Sequence, residues 1–318
     1  MQALVSRSES TPLEWQELPD RHMRKDEIRV AVKAAGVNPV DWKMRGVSLL
    51  SSAHWLLGPN GPFVCGVDFA GVVTEIGPDV TLVKVGDSVV GGTDFSKRQR
   101  GSYAKTVQVR QEQVAVLPAG VPFDVAACLP VAGVTAQTCL FALGGLGERK
   151  DAKVLVLGAS GGVGHLAIQL ARNAGARVVG VCSSRNVPLV TRLGVTAVDY
   201  GAGDALDAAK AHGPFDIIVD AIGSKTYPIG RCRQLHAPGA RHVLVMPVPA
   251  DYLRLAFTPW LKAVLGRPTG ANLAPLAADV AAGRLEVVIE ERIPFDEAER
   301  AHQISKAGRV VGKLVLVA

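Results

Sequence analysis

Cysteine is scarce in this chain of 318 residues, which has an odd number of cysteines, five, and no CxxC pair. They are widely scattered, at Cys65, Cys128, Cys139, Cys182 and Cys232. Such a set favours neither a disulfide framework nor a cluster of zinc-binding thiolates. We therefore expect a reducing compartment and predict a cytoplasmic location.

Long apolar runs and concentrated charge are also missing. No segment approaches the roughly 18 consecutive apolar residues of a membrane-spanning helix, and the first residues lack the apolar stretch of a signal peptide. The 35 basic and 29 acidic residues give a net charge of +6, spread without long runs of one sign. We expect no integral membrane segment and no nucleic-acid partner.

The pattern of apolar and turn-forming residues changes near residue 120, and a chain of this length suggests two domains. Before that point, short β-branched runs at 27–32, 69–76, 87–90 and 103–109 are punctuated by Gly and Pro, which is typical of an irregular β domain. After it, predicted strands at 153–157, 177–182, 197–199 and 215–220 alternate with helical patterns. This alternation predicts an α/β fold with a doubly wound parallel sheet.

The last part of the chain is harder to interpret. The segment 253–265 fits either a helix or an extended stretch interrupted at Pro259. Further patterns predict helices at 273–282 and 296–306 and strands at 284–289 and 310–317. We expect the last strand to return to the β domain, so that 1–119 with 256–318 form one domain and 120–255 the other.

A glycine-rich turn is the strongest chemical signal. Ala159, Gly161 and Gly164 follow a predicted strand and open a predicted helix, in a GxGxxG-like spacing. A dinucleotide needs such a turn because its pyrophosphate must approach the bare backbone and free N–H groups of a helix N-terminus. The alternative, a merely tight turn, is weakened by the strand and helix alternation that follows.

The carboxylate that would bind the ribose of NAD, about twenty residues further on, is absent. No Asp or Glu lies between Asp151 and Asp199, and the second strand is followed by Ser183, Ser184 and Arg185. Hydroxyls and a guanidinium suit the 2′-phosphate of NADPH, which a carboxylate would repel. The alternative is that Ser184 caps a helix and Arg185 is a solvated first-turn residue.

Several further motifs, taken together and in order, resemble the medium-chain dehydrogenase/reductase superfamily. They are GVNPVDWK at 36–43, GVDFAG at 66–71, VGD at 85–87, LPVAGVTA at 129–136 and GKLVL at 312–316. Within that superfamily the chain is similar to the zinc-independent quinone oxidoreductases, and in particular to the branch of enone and alkenal reductases and chloroplast-envelope quinone oxidoreductase homologues. The resemblance implies a GroES-like catalytic domain, a Rossmann domain, a cleft that binds NADPH, and a homodimer.

Zinc-dependent members of the superfamily carry Cys where this chain has Asn38, and a His-Glu pair where it has Val67 and Asp68. A catalytic zinc needs three ligands of the His, Cys or carboxylate type. The four-cysteine lobe of the alcohol dehydrogenases is missing too, because 91–102 contains no cysteine. We therefore predict an enzyme that has no metal site.

Lys43 is the predicted oxyanion donor, in a position where many quinone oxidoreductases have Tyr. Hydride addition to an enone moves charge onto its carbonyl oxygen, and a donor placed there stabilises the transition state. Asp41 is expected to orient Lys43 or bind the cofactor, and Asn38 to contact the nicotinamide ribose or the substrate. The residues alone favour a surface ion pair between Lys43 and Asp41, and only the resemblance favours the role of Lys43 in catalysis. Since the first tyrosine is Tyr103, we expect no tyrosine acid near this motif.

The resemblance also implies a set of cofactor contacts. Pyrophosphate would be bound by Ser160, Gly161, Gly162 and Val163, the adenosine phosphate by Ser183, Arg185 and Tyr200, and the nicotinamide by Thr135. The loops 221–224 and 246–247, with Ala221 and Met246, follow strands at the edge where open α/β sheets bind ligands. Lys313 is a further candidate, unless it only ends a turn.

The predicted function is NADPH-dependent reduction of an enone, an alkenal or a quinone. The loop 47–63 does not discriminate among these acceptors. A zinc-free alcohol dehydrogenase or ketone reductase is one alternative. Another is an NADPH-binding protein with a structural or regulatory role, because a fold alone does not prove turnover.

Overall fold

A computed structural model describes residues 1–6, 11–45, 63–95 and 99–318. Most of the loop 47–63 therefore lies outside the described residues. The strands of the described part are β1 (Gln2–Ser6), β2 (Glu14–Glu17), β3 (Glu27–Val37), β4 (Phe63–Val64), β5 (Asp68–Ile76), β6 (Ser88–Gly92), β7 (Thr106–Arg110), β8 (Val114–Val116), β9 (Lys153–Leu157), β10 (Arg177–Cys182), β11 (Thr196–Asp199), β12 (Phe215–Asp220), β13 (His236–Leu244), β14 (Leu261–Ala263), β15 (Ile289–Pro294) and β16 (Lys313–Val317).

The α-helices of the same part of the chain are short. They are α1 (Pro39–Lys43), α2 (Phe123–Ala126), α3 (Pro130–Gln137), α4 (Gly164–Asn173), α5 (Val187–Arg192), α6 (Ala205–Lys210), α7 (Ile229–Cys232), α8 (Pro249–Phe257), α9 (Gly270–Ala281) and α10 (Ala298–Lys306). Among the residues described, no helix has the length and apolar character needed to cross a membrane.

The described chain divides into two compact units. The first contains Met1–Val131, Arg267–Gly283 and Ile289–Ala318, and the second contains Ala132–Gly266 and Arg284–Val288. The limits drawn from the sequence, 1–119 with 256–318 and 120–255, stay a prediction of where the functional domains begin and end.

The first unit is built on a seven-stranded sheet whose order is β15-β16-β3-β5-β6-β8, with β7 also paired to β3. The chain end completes this sheet because β16 pairs antiparallel with β3, Leu314 opposite Val37. Phe69, Tyr103 and Ile28 are fully buried in the core on this sheet. The predicted β domain and its returning last strand are therefore confirmed.

The second unit is a six-stranded parallel sheet in the order β11-β10-β9-β12-β13-β14. From β9, the chain adds β10 and β11 on one side of the sheet, and then β12, β13 and β14 on the other side. The direction in which strands are added therefore reverses between β9 and β12. Loops at the carboxyl ends of strands beside such a reversal form the ligand site of a Rossmann fold. The predicted doubly wound fold is confirmed, and the glycine-rich turn and the loop 221–224 both lie at this reversal.

Two local predictions need correction. The strand expected at 284–289 begins only at Ile289. Gly283 has a φ of 68° after α9, and the next residues join the second unit, where the Glu286 amide donates to Gln169 at 2.8 Å. Glu286 also pairs with Arg192 at 2.6 Å, so contacts with helices α4 and α5 take the place of strand pairing.

The alternative in which Ser184 caps the helix after the second strand is wrong. Ser184 opens a short 3-10 turn and the α-helix begins at Val187, where Pro in the first turn suits a helix start. The segment that fitted either a helix or an extended stretch, 253–265, contains both. It begins within α8, and after Pro259 the strand β14 follows.

Candidate active site

The glycine-rich turn leaves backbone donors free at the start of α4. Gly158 and Ala159 donate their amides to Val181 on the neighbouring strand. Within the described residues, the amides of Ser160, Gly162 and Val163 donate no hydrogen bond. Free N–H groups at a helix N-terminus attract anions, so this turn fits a pyrophosphate.

Close approach of the turn and the helix explains the last glycine of the motif. A Cβ on Gly164 would lie 2.0 Å from the carbonyl oxygen of Gly158, whereas one on Gly161 would lie 3.4 Å from the same atom. Any side chain at Gly164 would thus separate α4 from the turn, while Gly161 has room within the protein itself. Bare backbone at Gly161 is therefore consistent with a ligand above it.

The loop after β10 is joined to the turn by a residue that the sequence analysis missed. Asn186 donates its side-chain amide to the hydroxyl of Ser160 at 2.8 Å. The same loop carries Ser183, which is partly buried, and Arg185, which is exposed. On the adjacent strand, the carboxylate of Asp199 accepts the amide of Gly201 at 2.7 Å. The loop that carries Ser183 and Arg185 is therefore joined to the turn through Asn186.

A pocket of about 480 Å³ opens next to the turn within the second unit. The lining is largely apolar and includes Gly158, Ile222, Tyr200 and Tyr227. Arg231 and Asp204, which form an ion pair 2.6 Å long, also line the pocket. Of these residues, Tyr200 was predicted to bind the cofactor, Ile222 lies in the predicted loop 221–224, and Gly158 begins the glycine-rich turn. No local motif identifies Tyr227, Asp204 or Arg231.

The remaining predicted cofactor residues of this unit lie around the same sheet edge or on α3. Ala221 donates its amide to Leu157, the last residue of β9. Met246 follows β13 and is 37% exposed, so its side chain is accessible. Thr135 is buried on α3, where a Cβ on Gly266 would meet its hydroxyl at 2.8 Å. Their contacts with a cofactor stay predictions.

In the first unit, the GVNPVDWK motif forms the short helix α1 because Asn38, Pro39 and Asp41 fit a helix start. Asn38 is the extended N-cap residue, Pro39 is the first helical residue, and the Asp41 carboxylate accepts the Asn38 amide at 2.7 Å. The same carboxylate accepts the Val67 amide at 3.2 Å and the Tyr103 hydroxyl at 3.3 Å. Asp41 is fully buried, so its observed role is to fix α1.

Asn38, Asp68 and Lys313 form a second buried cluster beside α1. Asn38 donates its side-chain amide to Asp68 at 2.9 Å, and Lys313 donates to the Asn38 side-chain oxygen and, at 2.9 Å, to the Val37 carbonyl. The Lys313 ammonium is 3.9 Å from Asp68 and its residue is only 3% exposed. Both polar ends of the Asn38 side chain are thus used inside the protein, and Lys313 does more than end a turn.

Burial shifts the proton affinity of both carboxyls. Burial first, and then the charge of Asp68, raise the pKa of Asp41 to about 7. Burial raises the pKa of Asp68 to about 6, although the Lys313 ammonium and the Asn38 hydrogen bond oppose the rise. These two groups therefore take up protons in the folded protein at a higher pH than in the unfolded chain.

Lys43 lies apart from both carboxylates. It is partly buried, which lowers its pKa, and its ammonium lies 5.5 Å from the centre of the Trp42 ring. In the part of the chain that the structure describes, no carboxylate forms an ion pair with Lys43, so the expected alternative of a pair with Asp41 is not seen. A cation with no carboxylate partner remains available to a developing oxyanion.

Helix α10 packs against α1 and is joined to it by side-chain contacts. The Trp42 indole donates to the Ser305 hydroxyl at 3.1 Å, and the buried Arg45 guanidinium pairs with Glu299 at 2.8 Å. Since Trp42 and Arg45 flank Lys43 in the sequence and both are tethered to α10, the backbone that carries Lys43 is fixed.

One tyrosine that is distant in the sequence lies beside the motif in space. Tyr103 is 62 residues from Asp41, yet its hydroxyl contacts the Asp41 carboxylate because β7 and the segment before it pack beside β3. Tyr103 is fully buried. A hydroxyl with no exposure lacks direct access to a substrate, so this residue belongs to the support of α1.

The residues at the positions of the zinc ligands do not suit a catalytic zinc. Asn38 uses its amide internally, Val67 is apolar, and Asp68 already has Asn38, the Val131 amide at 2.9 Å and the Lys313 charge as partners. The described residues contain no group of three His, Cys, Asp or Glu side chains close enough to hold a metal ion. A catalytic zinc with three protein ligands would require a different donor set.

Comparison with known proteins agrees with this architecture. Residues 24–119 match the family described as alcohol dehydrogenase GroES-like domain. Residues 193–316 match the family described as zinc-binding dehydrogenase. The match at 24–119 lies in the first unit, and the other begins after the glycine-rich turn.

Individual relatives cover nearly the whole chain. The mitochondrial NAD(P)H oxidoreductase RTN4IP1 of Danio rerio is 33% identical over 92% of this chain and 83% of its own length. The chloroplast envelope quinone oxidoreductase homolog of Arabidopsis thaliana is 30% identical over 96% of this chain and 93% of its own. The structure of the quinone oxidoreductase from Coxiella burnetii is 28% identical, with a TM-score of 0.87 over 100% of this chain and 98% of that one. Fold, motifs and relatives together show that this chain is an oxidoreductase of the medium-chain dehydrogenase/reductase family.

Proposed function

We propose that the protein is an NADPH-dependent reductase of the activated C=C bond of an enone or alkenal, or of a quinone, and that it works without zinc. The observation that carries this proposal is the Lys43 ammonium, partly buried on α1 with no carboxylate partner in the described chain. Asp41 and Asp68 are both engaged in internal bonds. The first unit thus offers a positive donor to a substrate, and its described residues contain no group of side chains that could hold a metal ion.

NADPH is the cofactor that the second unit suits best. Ser160, Gly162 and Val163 supply free amides for the pyrophosphate. Ser183 and Arg185 would hold the 2′-phosphate, since hydroxyls and a guanidinium bind a phosphate that a carboxylate repels. Tyr200 would contact the adenosine end from the pocket, and Thr135 the nicotinamide end. When bound, NADPH supplies the hydride.

Lys43 acts on the substrate oxygen in this proposal. As negative charge develops on the carbonyl or quinone oxygen, the ammonium stabilises the transition state more than the neutral ground state. Asp41 contributes as a positioning residue, because its carboxylate fixes the first turn of α1 through the Asn38 and Val67 amides. Asn38 and Lys313 contribute in the same way through their shared buried cluster.

A titration of cofactor binding tests the cofactor assignment. We expect the parent protein to bind NADPH more tightly than NADH, followed by nicotinamide fluorescence, and Arg185→Ala to narrow that preference about tenfold or more. Arg192→Ala is the matched control, because Arg192 lies on the same segment as Arg185 and its guanidinium pairs with the distant Glu286. It should leave the preference unchanged. Equal affinity of the parent for both cofactors would contradict the assignment.

A cytoplasmic location and a homodimeric assembly remain part of the proposal. The relatives are named as a mitochondrial protein and a chloroplast-envelope protein. Fractionation of cells and light scattering of the purified protein test these two statements separately.

A further inference from the structure

Two buried carboxylates frame the loop 221–224, and none of the roles assigned above uses them. Asp220 is the last residue of β12, immediately before this loop, and Asp251 lies in the first turn of α8. Both are fully buried. Burying a carboxylate is costly unless hydrogen bonds compensate, so the bonds that each one makes show what it holds in place.

Asp220 fixes the shape of the loop. One of its oxygens accepts the amides of Ile222 at 2.9 Å and of Gly223 at 2.7 Å. Gly223 has a φ of 112°, a conformation that glycine adopts without strain. The Gly223 carbonyl in turn accepts the amides of Thr226 and Tyr227. A single carboxylate oxygen therefore sets the path of the chain through Ile222, Thr226 and Tyr227, which all line the 480 Å³ pocket.

Asp251 ties this loop to the one after β13. Its two oxygens accept the Ser224 hydroxyl at 2.9 and 2.7 Å, and one of them also accepts the Val248 amide at 3.0 Å. Ser224 ends the loop 221–224, and Val248 follows Met246 and Pro247. Asp251 thus joins the two loops that follow neighbouring strands of the sheet.

The loop fixed in this way packs on the glycine-rich turn. A Cβ on Gly158 would lie 2.7 Å from the end of the Ile222 side chain. A Cβ on Gly223 would lie 3.3 Å from the Met246 carbonyl oxygen. Small movements of the loop would therefore change the pocket wall and its contact with the turn together.

The other oxygen of Asp220 is not used by the loop. Within the described chain it has no hydrogen-bond partner, and the nearest ring nitrogen of the buried His242 is 3.9 Å away. The hydrogen bonds that Asp220 makes to the described chain are therefore those that fix the loop.

We propose that Asp220 and Asp251 are positioning residues that hold the loop 221–224 in the shape that binds the dinucleotide. This inference rests on the proposed NADPH binding. Neither carboxylate needs to contact the cofactor, because each acts through backbone or hydroxyl groups of the loop.

Variants of Asp220 separate position from charge. Asp220→Ala removes the acceptor, so we expect NADPH to bind about tenfold more weakly or worse, because two hydrogen bonds to the loop are lost. Asp220→Asn keeps an acceptor oxygen at the same place and should stay within about threefold of the parent. Dissociation constants for NADPH and for adenosine 2′,5′-bisphosphate are measured by calorimetry well below each variant's melting temperature. Both ligands should bind more weakly to Asp220→Ala than to the parent.

Asp216→Ala is the matched control, because Asp216 lies on the same strand and accepts the Lys153 amide at 2.9 Å. It should lower the melting temperature and leave both dissociation constants unchanged. Ser224→Ala removes the hydrogen bonds to Asp251 and should weaken the binding of NADPH about threefold. This variant keeps the test decisive if Asp220→Ala does not fold.

The outcomes distinguish this inference from the proposed function. A parent protein that binds neither NADPH nor NADH overturns both. A parent that binds NADPH, with Asp220→Ala and Ser224→Ala equal to it in affinity, overturns the positioning role alone. Equal weakening in Asp220→Ala and Asp220→Asn also overturns it, since the charge and not the acceptor would then matter.

Discussion

Asp41 and Lys43 are two residues apart on α1 and have different surroundings. The Asp41 carboxylate is buried under three hydrogen bonds, whereas the Lys43 ammonium lies over Trp42 without a carboxylate partner in the described chain. A short helix that is buried on one side separates two charges that the sequence alone would pair. In the proposed function, Lys43 is the oxyanion donor and Asp41 supports α1.

Removal of the Lys43 charge should slow the chemical step. We expect Lys43→Met to reduce kcat for an enone about a hundredfold to a thousandfold while NADPH binds as in the parent, because the donor acts mainly on the transition state. Lys43→Ala should have the same effect. Lys43→Met separates charge from packing, because Met retains most of the apolar stem of Lys. Steady-state kinetics beside a binding titration measures both quantities.

Lys306→Met is the control for Lys43, because the Lys306 ammonium also lies over the Trp42 ring, at 5.7 Å. It should retain the parental kcat. Near-parental turnover in Lys43→Met would contradict the donor role and direct the search to another group.

The raised pKa of Asp41 predicts a specific dependence of stability on pH. Its folded pKa of about 7 lies above the ordinary 3.8, so the folded state binds the proton more tightly than the unfolded chain. The stabilisation from protonated Asp41 is therefore full below about pH 4 and is lost as the pH rises towards 7. Asp68, with a pKa of about 6, acts in the same direction.

Thermal unfolding from pH 4 to 8 tests this dependence by comparing the parent with Asp41→Asn. The variant lacks the titrating carboxyl of Asp41. The free energy of unfolding of the parent should therefore fall relative to that of the variant as the pH rises from 4 to 7. Comparison of the two proteins cancels the contributions of His242 and His302, whose pKa values burial lowers to about 3. A difference that is constant over this range would contradict a raised pKa for Asp41.

Among single residues, sequence analysis identified those that belong to a local motif. Gly161, Gly164, Ser183 and Arg185 stand at spacings that a dinucleotide site requires, and the structure brings their segments to one sheet edge. Tyr103, Asn186 and Asp220 were missed as contributors because their partners come from distant strands or are backbone amides. Nothing in the residues around Tyr103 indicates that its hydroxyl reaches Asp41.

At the level of elements, the turn between β9 and α4 depends on glycine for two different reasons. Gly164 has no space for a side chain because α4 begins against the Gly158 carbonyl. Gly161 has space within the protein, so its bare backbone matters only when a ligand approaches. The two positions can therefore be separated by experiment.

Alanine at each position should have distinct effects. We expect Gly164→Ala to lower the free energy of unfolding by about 1 to 3 kcal/mol, as overpacking does. Gly161→Ala should fold with nearly the parental stability and lose most of its NADPH affinity. Chemical denaturation and fluorescence titration measure these effects. Equal destabilisation by both substitutions would contradict the distinction.

Elements with strong periodicity were predicted well, and weakly marked ones were not. The predicted strands 153–157, 177–182 and 215–220 match β9, β10 and β12 because each is a buried run of β-branched and aliphatic residues. The strand predicted at 284–289 was wrong, since tertiary contacts of Glu286 with α4 and α5 outweigh local β propensity. Segment 253–265 shows the same limit, because Pro259 separates two elements too short for a clear period.

At the scale of the whole molecule, each unit contains one half of the proposed chemistry. The first unit has the Lys43 donor and a buried cluster in place of zinc ligands, and the second has the dinucleotide turn, loops and pocket. Catalysis by hydride transfer requires the reacting carbons to approach to roughly 3 to 3.5 Å. The family and the fold class could be predicted from motif order, whereas the choice among enone, alkenal and quinone is not encoded in any motif.

The most direct test is the rate at which NADPH absorbance is lost with enones, alkenals, quinones and simple ketones, before and after dialysis against a chelator. We predict turnover with an enone, an alkenal or a quinone, little with ketones, and the same rates after chelation, because the part of the chain that the structure describes contains no set of zinc ligands. Activity that is lost on chelation and restored by zinc would contradict the account. Reduction of ketones alone, or no reduction of any compound, would contradict it equally.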